Sequence, residues 1–378
     1  MYYKEDINFL KKWISQVKQL AIKIRDKSRQ DNTISSFTIG STTQHTKNLL
    51  PYMTPIRKIL YGYLGGVIVF TQTQGRIVSK TVDGIVDYIL VDAEKKLPII
   101  VDNFDNDLYE TFNLKKITKK NSVSYFDMGN LSASCVDDIN QSLFFEYKAN
   151  DLTVDSVWYH LSSHFKILSG KKISIIGGGN IGFKIALKLV ESGCQINFVR
   201  RDINKGLLLA NAINFVKPIS TVSSVNFIQD TLKACLYSDA IVACTDGVPV
   251  VTWEMIQCMK EKGIVVDVGK GCIADNVLEK AIDSGISVFR TDVYSGLEGT
   301  MSSIIRNHKI ISKFGRKKLN DNFYLISSGL MGKYGDIVVD DIDNPKQIIG
   351  ICDGKGNLLT EYNEDQNKII TKLKMGNV

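Results

Sequence analysis

No apolar run in this 378-residue chain approaches membrane-spanning length, which leaves no candidate for a transmembrane helix. No block of lysine and arginine is dense enough to argue for nucleic acid. The seven cysteines include no Cys-x-x-Cys pair and no metal-ligand spacing. Cys194, Cys235, Cys244 and Cys258 sit in apolar surroundings, as reduced core thiols do, so a reducing cytoplasm is the expected compartment. Histidine is scarce, at four residues. His160 and His164 share an i, i+4 spacing but no third ligand is near, His308 has no context, and no metal is expected. The amino terminus, Met1-Tyr-Tyr-Lys-Glu-Asp, lacks a basic-then-apolar secretory pattern, and no repeat or low-complexity segment is visible. What remains is the composition of an ordinary globular enzyme, 44% apolar and 23% charged. A net charge of +7 suits phosphate-bearing cofactors and acidic substrates.

The segment Lys171-Lys-Ile-Ser-Ile-Ile-Gly177-Gly178-Gly179-Asn180-Ile181-Gly182 places an apolar strand ahead of a Gly-x-Gly-x-x-Gly turn. A helical run from Phe183 to Val190 follows, with Gly193 as its carboxyl cap. A dinucleotide needs that order. Gly177 permits the tight turn, Gly179 lets the backbone approach a diphosphate, and Gly182 lets the helix pack on the sheet. The first N–H groups of the helix, including those of Asn180 and Ile181, then face the phosphates.

The second strand, Gln195-Ile-Asn-Phe-Val-Arg200-Arg201-Asp202, bears on which nucleotide is bound. An NAD site carries an acidic residue about 20 residues beyond the glycines, for the ribose hydroxyls. Here Arg200 and Arg201 stand at that place, and a guanidinium can hold a 2′-phosphate through two parallel charged bonds. NADP is therefore favoured over NAD. The alternative is that both arginines are surface charges and Asp202 serves a ribose.

Strands and helices continue to alternate, as a parallel sheet requires. Asp239–Thr245 reads as a buried strand, Trp253–Lys262 as a helix, Gly263–Val268 as a strand and Ile286–Arg290 as another. The turns Thr245-Asp246-Gly247 and Gly269-Lys270-Gly271 should face the nicotinamide half of the cofactor. From about Gly170 to Asp292 the chain resembles the NAD(P)-binding domain of shikimate dehydrogenase, glutamyl-tRNA reductase, alanine dehydrogenase and adenosylhomocysteinase. The matching features are the glycine turn, Arg201, Thr245-Asp246-Gly247 before Val250-Val-Thr-Trp253, and Val265-Val-Asp-Val-Gly269. In the first two families an arginine at the place of Arg201 implies NADP. The resemblance covers about a third of the chain and implies a cofactor domain rather than a reaction. No cysteine precedes Cys135, where glutamyl-tRNA reductase needs a thiolate. The Asn-Val-Thr-x-Pro-x-Lys signature of shikimate dehydrogenase is absent, and Met53–Lys58 is a distant echo of it.

The expected architecture is α/β, a doubly wound parallel sheet of Rossmann type flanked by two further pieces. Residues 1–150 form an N-terminal α/β substrate lobe, 151–296 the nucleotide domain with a bridging helix at its start, and 297–378 a C-terminal extension packing back. In the first lobe a helical stripe runs from Phe9 through Trp13, Val17 and Ala21 to Ile24. Strand-like runs follow at Ser36–Gly40, Gly66–Phe70, Ile85–Val91, Pro98–Asp102 and Val123–Asp127. Asp151–Leu168 is the bridging helix, a hinge on which two lobes could close. Beyond Tyr294-Ser-Gly-Leu-Glu-Gly-Thr300 a helix runs to Ile311. Strands are expected at Asn322–Ile326, Ile337–Asp340 and Gln347–Cys352, with a hairpin turn at Asp353–Gly356.

Hydride transfer at a carbonyl needs a proton donor or acceptor beside the oxygen. Lys270, between two glycines, is the first candidate, against a plain solvent-facing lysine. Lys80 and Asp83 could form an acid/base pair near a strand start, or an ordinary surface ion pair. His45, among Ser41-Thr42-Thr43-Gln44-His45-Thr46, could meet a polar substrate at a helix start, or the hydroxyls could be caps. Asp127 and Asn130 mark another substrate edge. Thr245, Asp246 and Gly269 are assigned to the cofactor. The expected function is an NADP-dependent oxidoreductase acting on a small polar, anionic metabolite between two lobes, as a homo-oligomer. The alternatives are an enzyme that recycles a tightly bound nucleotide, with a lyase, hydrolase or cyclodeaminase outcome, and a non-catalytic NADP sensor.

Overall fold

The computed structural model describes residues 6–42, 50–94, 96–97, 106–114, 129–311 and 315–375. These divide into two compact units, 1–298 and 299–378.

The first unit holds two sheets. Helix α1 (Ile7–Gln30) starts where the Asp6 carboxylate accepts the N–H groups of Asn8 and Phe9. It buries the expected stripe, Leu10, Trp13, Val17, Ala21 and Ile24. Next come β1 (Ile34–Ser41), β2 (Tyr52–Ile59), β3 (Gly62–Val69), α2 (Gln72–Val82), β4 (Tyr88–Asp92), α3 (Asn106–Thr111), α4 (Leu131–Cys135) and β5 (Leu143–Tyr147). The strands pair in the order β2-β3-β1-β4-β5, parallel except for β2. The edge strand β2 is absent from the sequence-based expectation for a physical reason. It contains Pro55, which cannot donate to a ladder and is tolerated only at an edge, and the register shifts beside it between Thr54 and Arg57. The strands expected at Pro98–Asp102 and Val123–Asp127 lie outside the described residues.

Helix α5 (Ala149–Phe165) is the expected bridge. The second sheet follows: β6 (Lys172–Ile176), α6 (Asn180–Glu191), β7 (Gln195–Val199), α7 (Ile203–Val216), β8 (Val225–Phe227), α8 (Thr231–Cys235), β9 (Ala240–Ala243), α9 (Trp253–Gln257), β10 (Ile264–Asp267), α10 (Asp275–Asp283) and β11 (Ser287–Arg290). Every pairing is parallel, in the order β11-β10-β9-β6-β7-β8. The order reverses at β6/β9, the switch point where a Rossmann-type sheet receives its ligand. Continuous apolar strands such as Ala240-Ile-Val-Ala243 are buried between helices on both faces.

Two expectations need correction. The helix from Trp253 stops at Gln257 rather than Lys262, because the Cys258 carbonyl accepts the Tyr237 N–H and the Lys260 N–H turns to the Ser238 carbonyl. The helix expected beyond Thr300 starts earlier, at Tyr294, as α11 (Tyr294–Ile311). Its Gly296 lies so close to α5 that a Cβ would stand 2.7 Å from the Leu152 carbonyl oxygen.

The second unit carries β12 (Arg316–Lys318), β13 (Tyr324–Ser327), β14 (Ile337–Val339), β15 (Ile348–Ile351) and α12 (Glu364–Lys374). Leu325, Ile337, Val339, Ile351, Ile369 and Ile370 form its core. The Arg316 guanidinium grips the buried Asp336 carboxylate through two nitrogens at 2.7–3.0 Å.

Candidate active site

The glycine turn opens at the carboxyl end of β6. Gly177 has φ +106°, and a Cβ there would come within 2.7 Å of the Cys244 carbonyl, so only glycine lets the ends of β6 and β9 meet. At Gly182 a Cβ would lie 2.1 Å from the Gly177 oxygen. Gly179 is the opposite case: a Cβ would meet nothing within 4 Å. The residue is fully permissive toward the protein, and the space above it is free for a ligand. Gly179 also precedes α6 with no side chain capping the helix, so the first N–H groups, starting at Asn180 and Ile181, remain available. These features fit a dinucleotide diphosphate.

The two arginines beyond β7 part company. Arg200 is half-buried and donates from Nη1 to the Gly178 carbonyl, fastening the turn to the second strand. Arg201 is exposed. Asp202 caps α7, accepting the Lys205 N–H at 3.0 Å. The cap accounts for its place without a ribose.

The loops after β9 and β10 are pressed together. A Cβ on Gly269 would fall 1.7 Å from the Thr245 oxygen. The Thr245 hydroxyl reaches the Val248 carbonyl and Cys272 Sγ, both at 3.1 Å. The buried Asp267 carboxylate accepts the N–H groups of Gly271 (2.8 Å) and Cys272 (3.3 Å), which fixes the Gly269-Lys270-Gly271 turn. Lys270 is exposed and adopts φ +59°, a left-handed conformation uncommon outside glycine.

These loops form one wall of a cavity of about 620 Å³, to which Ile181, Thr245, Asp246, Gly269, Lys270 and Thr291 contribute. The first sheet supplies the other wall from the carboxyl ends of its own strands. Lys96 lines the cavity with its side chain only 7% exposed. Its ammonium lies 3.0 Å from Asp92 Oδ2, which is fully buried, and 2.8 Å from Glu94 Oε2. Asp92 also accepts the Ser41 hydroxyl at 2.9 Å, and Glu94 accepts the Asn150 N–H at 2.9 Å. Tyr147 stands in the same wall, its phenol pushed well above the usual range by burial, reinforced by Asp92 and Glu94. At the rim Arg57 pairs with Asp292 at 2.5 Å and stacks over the Tyr294 ring, while the Tyr294 hydroxyl donates to the Lys58 carbonyl.

Residues 172–271 match the family described as NADP oxidoreductase, coenzyme F420-dependent. This segment is an NAD(P)-binding domain of the Rossmann type. Among curated proteins the chain is 26% identical over 139 residues to glyoxylate/hydroxypyruvate reductase HPR3 of Arabidopsis thaliana, covering 33% of this chain and 37% of that protein. It is 24% identical over 228 residues to malate dehydrogenase of Aliarcobacter butzleri, covering 55% and 68%. The chain thus spans little more than a third of the reductase. Among solved structures, shikimate dehydrogenase of Aquifex aeolicus aligns at 16% identity and TM-score 0.33, over 44% of this chain and 57% of that one.

The NAD(P)-binding domain brings Gly177, Gly179, Asn180, Ile181, Gly182, Arg200, Thr245, Asp246, Gly269 and Lys270 to the carboxyl edge of the sheet, with Arg201 beyond the end of β7. The first-lobe candidates fare differently. Lys80 and Asp83 do not form a pair. Lys80 donates to the Asn113 carbonyl, and the Asp83 carboxylate accepts backbone N–H groups from Asn140, Gln141 and Ser142. Both sit where α2 ends, before β4 begins, and neither lines the cavity. Asn130 caps α4 through the Ala133 N–H. His45 and Asp127 lie outside the described residues. His160 packs near the Phe289 ring and His164 against Phe165. Among the described residues no group of three His, Cys, Asp or Glu could hold a metal, and no helix is long and apolar enough to cross a membrane. Burial pushes the thiols of Cys135, Cys194 and Cys235 up to about 12.

The Lys96–Asp92–Glu94 cluster was missed by sequence reasoning. Its signal is the acidic run Asp92-Ala-Glu94 and the lysine after it, directly beyond the buried strand Tyr88–Asp92, where parallel sheets place functional side chains.

Proposed function

We propose that the protein is an NADP-dependent oxidoreductase for a small polar, anionic metabolite bound between the glycine turn and the first lobe. The observation that carries this reading is a cavity lined on one wall by Ile181, in the first turn of the uncapped helix α6, and on the other by Lys96, the buried lysine of the carboxylate cluster. A bound nicotinamide supplies or accepts the hydride. The protein's own residues do the rest. Gly179 and the first N–H groups of α6 hold the diphosphate, and Arg201, exposed at the end of β7, takes the 2′-phosphate. Arg200 acts through the turn it fastens. Lys96 gives a proton to, or takes one from, the substrate oxygen, and Asp92 and Glu94 hold its ammonium in place. Lys270 is the second proton-transfer candidate. Arg57, Lys96, Lys270 and Arg290 outnumber Asp246 and Asp292 around the cavity, which favours an anionic substrate over a cationic one.

Calorimetric titration with NADPH and NADH tests the cofactor. NADPH should bind at least about 10-fold tighter, the scale of one charged bidentate contact, and the margin should vanish in Arg201→Ala. Equal binding of the two nucleotides, or binding of neither, overturns the assignment. Absorbance at the nicotinamide band across keto acids, hydroxy acids and amino acids then identifies the substrate.

A further inference from the structure

Thr291, immediately after β11, is 6% exposed and lines the cavity, yet its hydroxyl has no hydrogen-bond partner. A buried hydroxyl without a partner costs free energy that a methyl group in its place would not. Its neighbours are already engaged: the Thr291 N–H donates to the Asp267 carbonyl, and the Asp292 carboxylate is held by Arg57. The same cavity is also lined by the apolar side chains of Val268, Leu297 and Ile181.

We infer that the Thr291 hydroxyl is a binding group for the carboxamide of the nicotinamide ring. This rests on the nucleotide reading above. The sheet order fixes the direction of the ligand: adenosine phosphate toward Arg201 at the end of β7, diphosphate over Gly179 at β6, and the far end toward β9, β10 and β11. A flat, mostly apolar ring suits that wall, and its carboxamide is the polar group it must satisfy there. A hydroxyl can both donate and accept, as a carboxamide requires.

The test is calorimetry on wild type, Thr291→Val and Thr291→Ser with two ligands, NADPH and 2′-phospho-ADP-ribose, which lacks the nicotinamide. The valine variant should bind NADPH about 5- to 10-fold more weakly, the scale of one hydrogen bond, and bind 2′-phospho-ADP-ribose as wild type does. The serine variant should stay within about 2-fold for both. The ligand-free valine variant should melt no lower than wild type, because an orphan hydroxyl has been removed. A lower melting temperature would point to a structural partner and count against the assignment. Unchanged NADPH affinity in Thr291→Val, or equal losses for both ligands, overturns it. Failure of wild type to bind either ligand overturns the nucleotide reading together with this one.

Discussion

Both sheets of the first unit turn the carboxyl ends of their parallel strands toward one cavity, but they build its walls from different materials. At the second sheet main chain dominates: Gly269 in the wall, and Gly177 and Gly182 in the turn that leads to Ile181, stand where any Cβ would strike a carbonyl within 2.7 Å, and Gly179 stands where one would strike nothing. In the first sheet the wall is side chains, with Lys96 between two carboxylates and Ser41 and Tyr147 beside them. A main-chain wall suits a ligand common to many proteins, because backbone amides recognise phosphate whatever lies beyond it. A side-chain wall suits one particular substrate. The difference explains why the comparisons match residues 172–271 as a family and leave the reaction open.

The sharpest way to break this contrast is to disable each wall separately. Lys96→Gln should lower turnover at least about 100-fold, the scale of a positioned acid or base, while NADPH affinity in calorimetry stays within about 2-fold. Lys80→Met and Asp83→Asn should leave turnover unchanged. A retained rate in Lys96→Gln would return Lys270 to first place. On the other wall, Gly179→Ala and Gly182→Ala should separate binding from stability. The first should weaken NADPH about 10-fold or more with a melting temperature near wild type, because its methyl enters ligand space alone. The second should unfold at a distinctly lower temperature, losing about 2–3 kcal/mol through the clash with Gly177. Similar behaviour of the two variants would mean the glycine roles are misassigned. The smallest effect expected is at Asp239, which joins the starts of β6, β9 and β10. Burial raises its carboxyl, but hydrogen bonds from Lys260 and the Lys172 N–H outweigh burial and leave it below its ordinary 3.8. A depressed value stabilises the fold above that pH, and the gain fades as pH falls through the lower folded value. Asp239→Asn should therefore flatten the melting-temperature profile at its acid end, by about 1 kcal/mol.

How much of this was legible follows from the same contrast. The glycine turn is local: three glycines, a strand before and a helix after all lie within some twenty residues, so chain order is enough. The side-chain wall is not local. Lys96 and Ser41 come together only because β1 and β4 are neighbours in a sheet whose order the sequence does not print. Reasoning from type found a lysine and an aspartate, Lys80 and Asp83, but at the amino end of β4, where Asp83 serves three backbone amides. The Lys96 cluster stands at the carboxyl end, one strand length away. β2 went unseen because Pro55 reads as a break until an edge is known to be vacant for it. Tyr294–Thr300 went unseen as helix because Gly296 and Gly299 argue locally against one, and packing against α5 overrides that preference.

The contact between Arg57 and Asp292 depends on ionic strength. Both partners are roughly half in solvent, 43% and 48% exposed, and ion pairs so placed contribute little, about 0–1 kcal/mol. Added salt should therefore loosen this pair, while the Tyr294 hydroxyl on the Lys58 carbonyl, which carries no net charge, keeps its hold on the same rim.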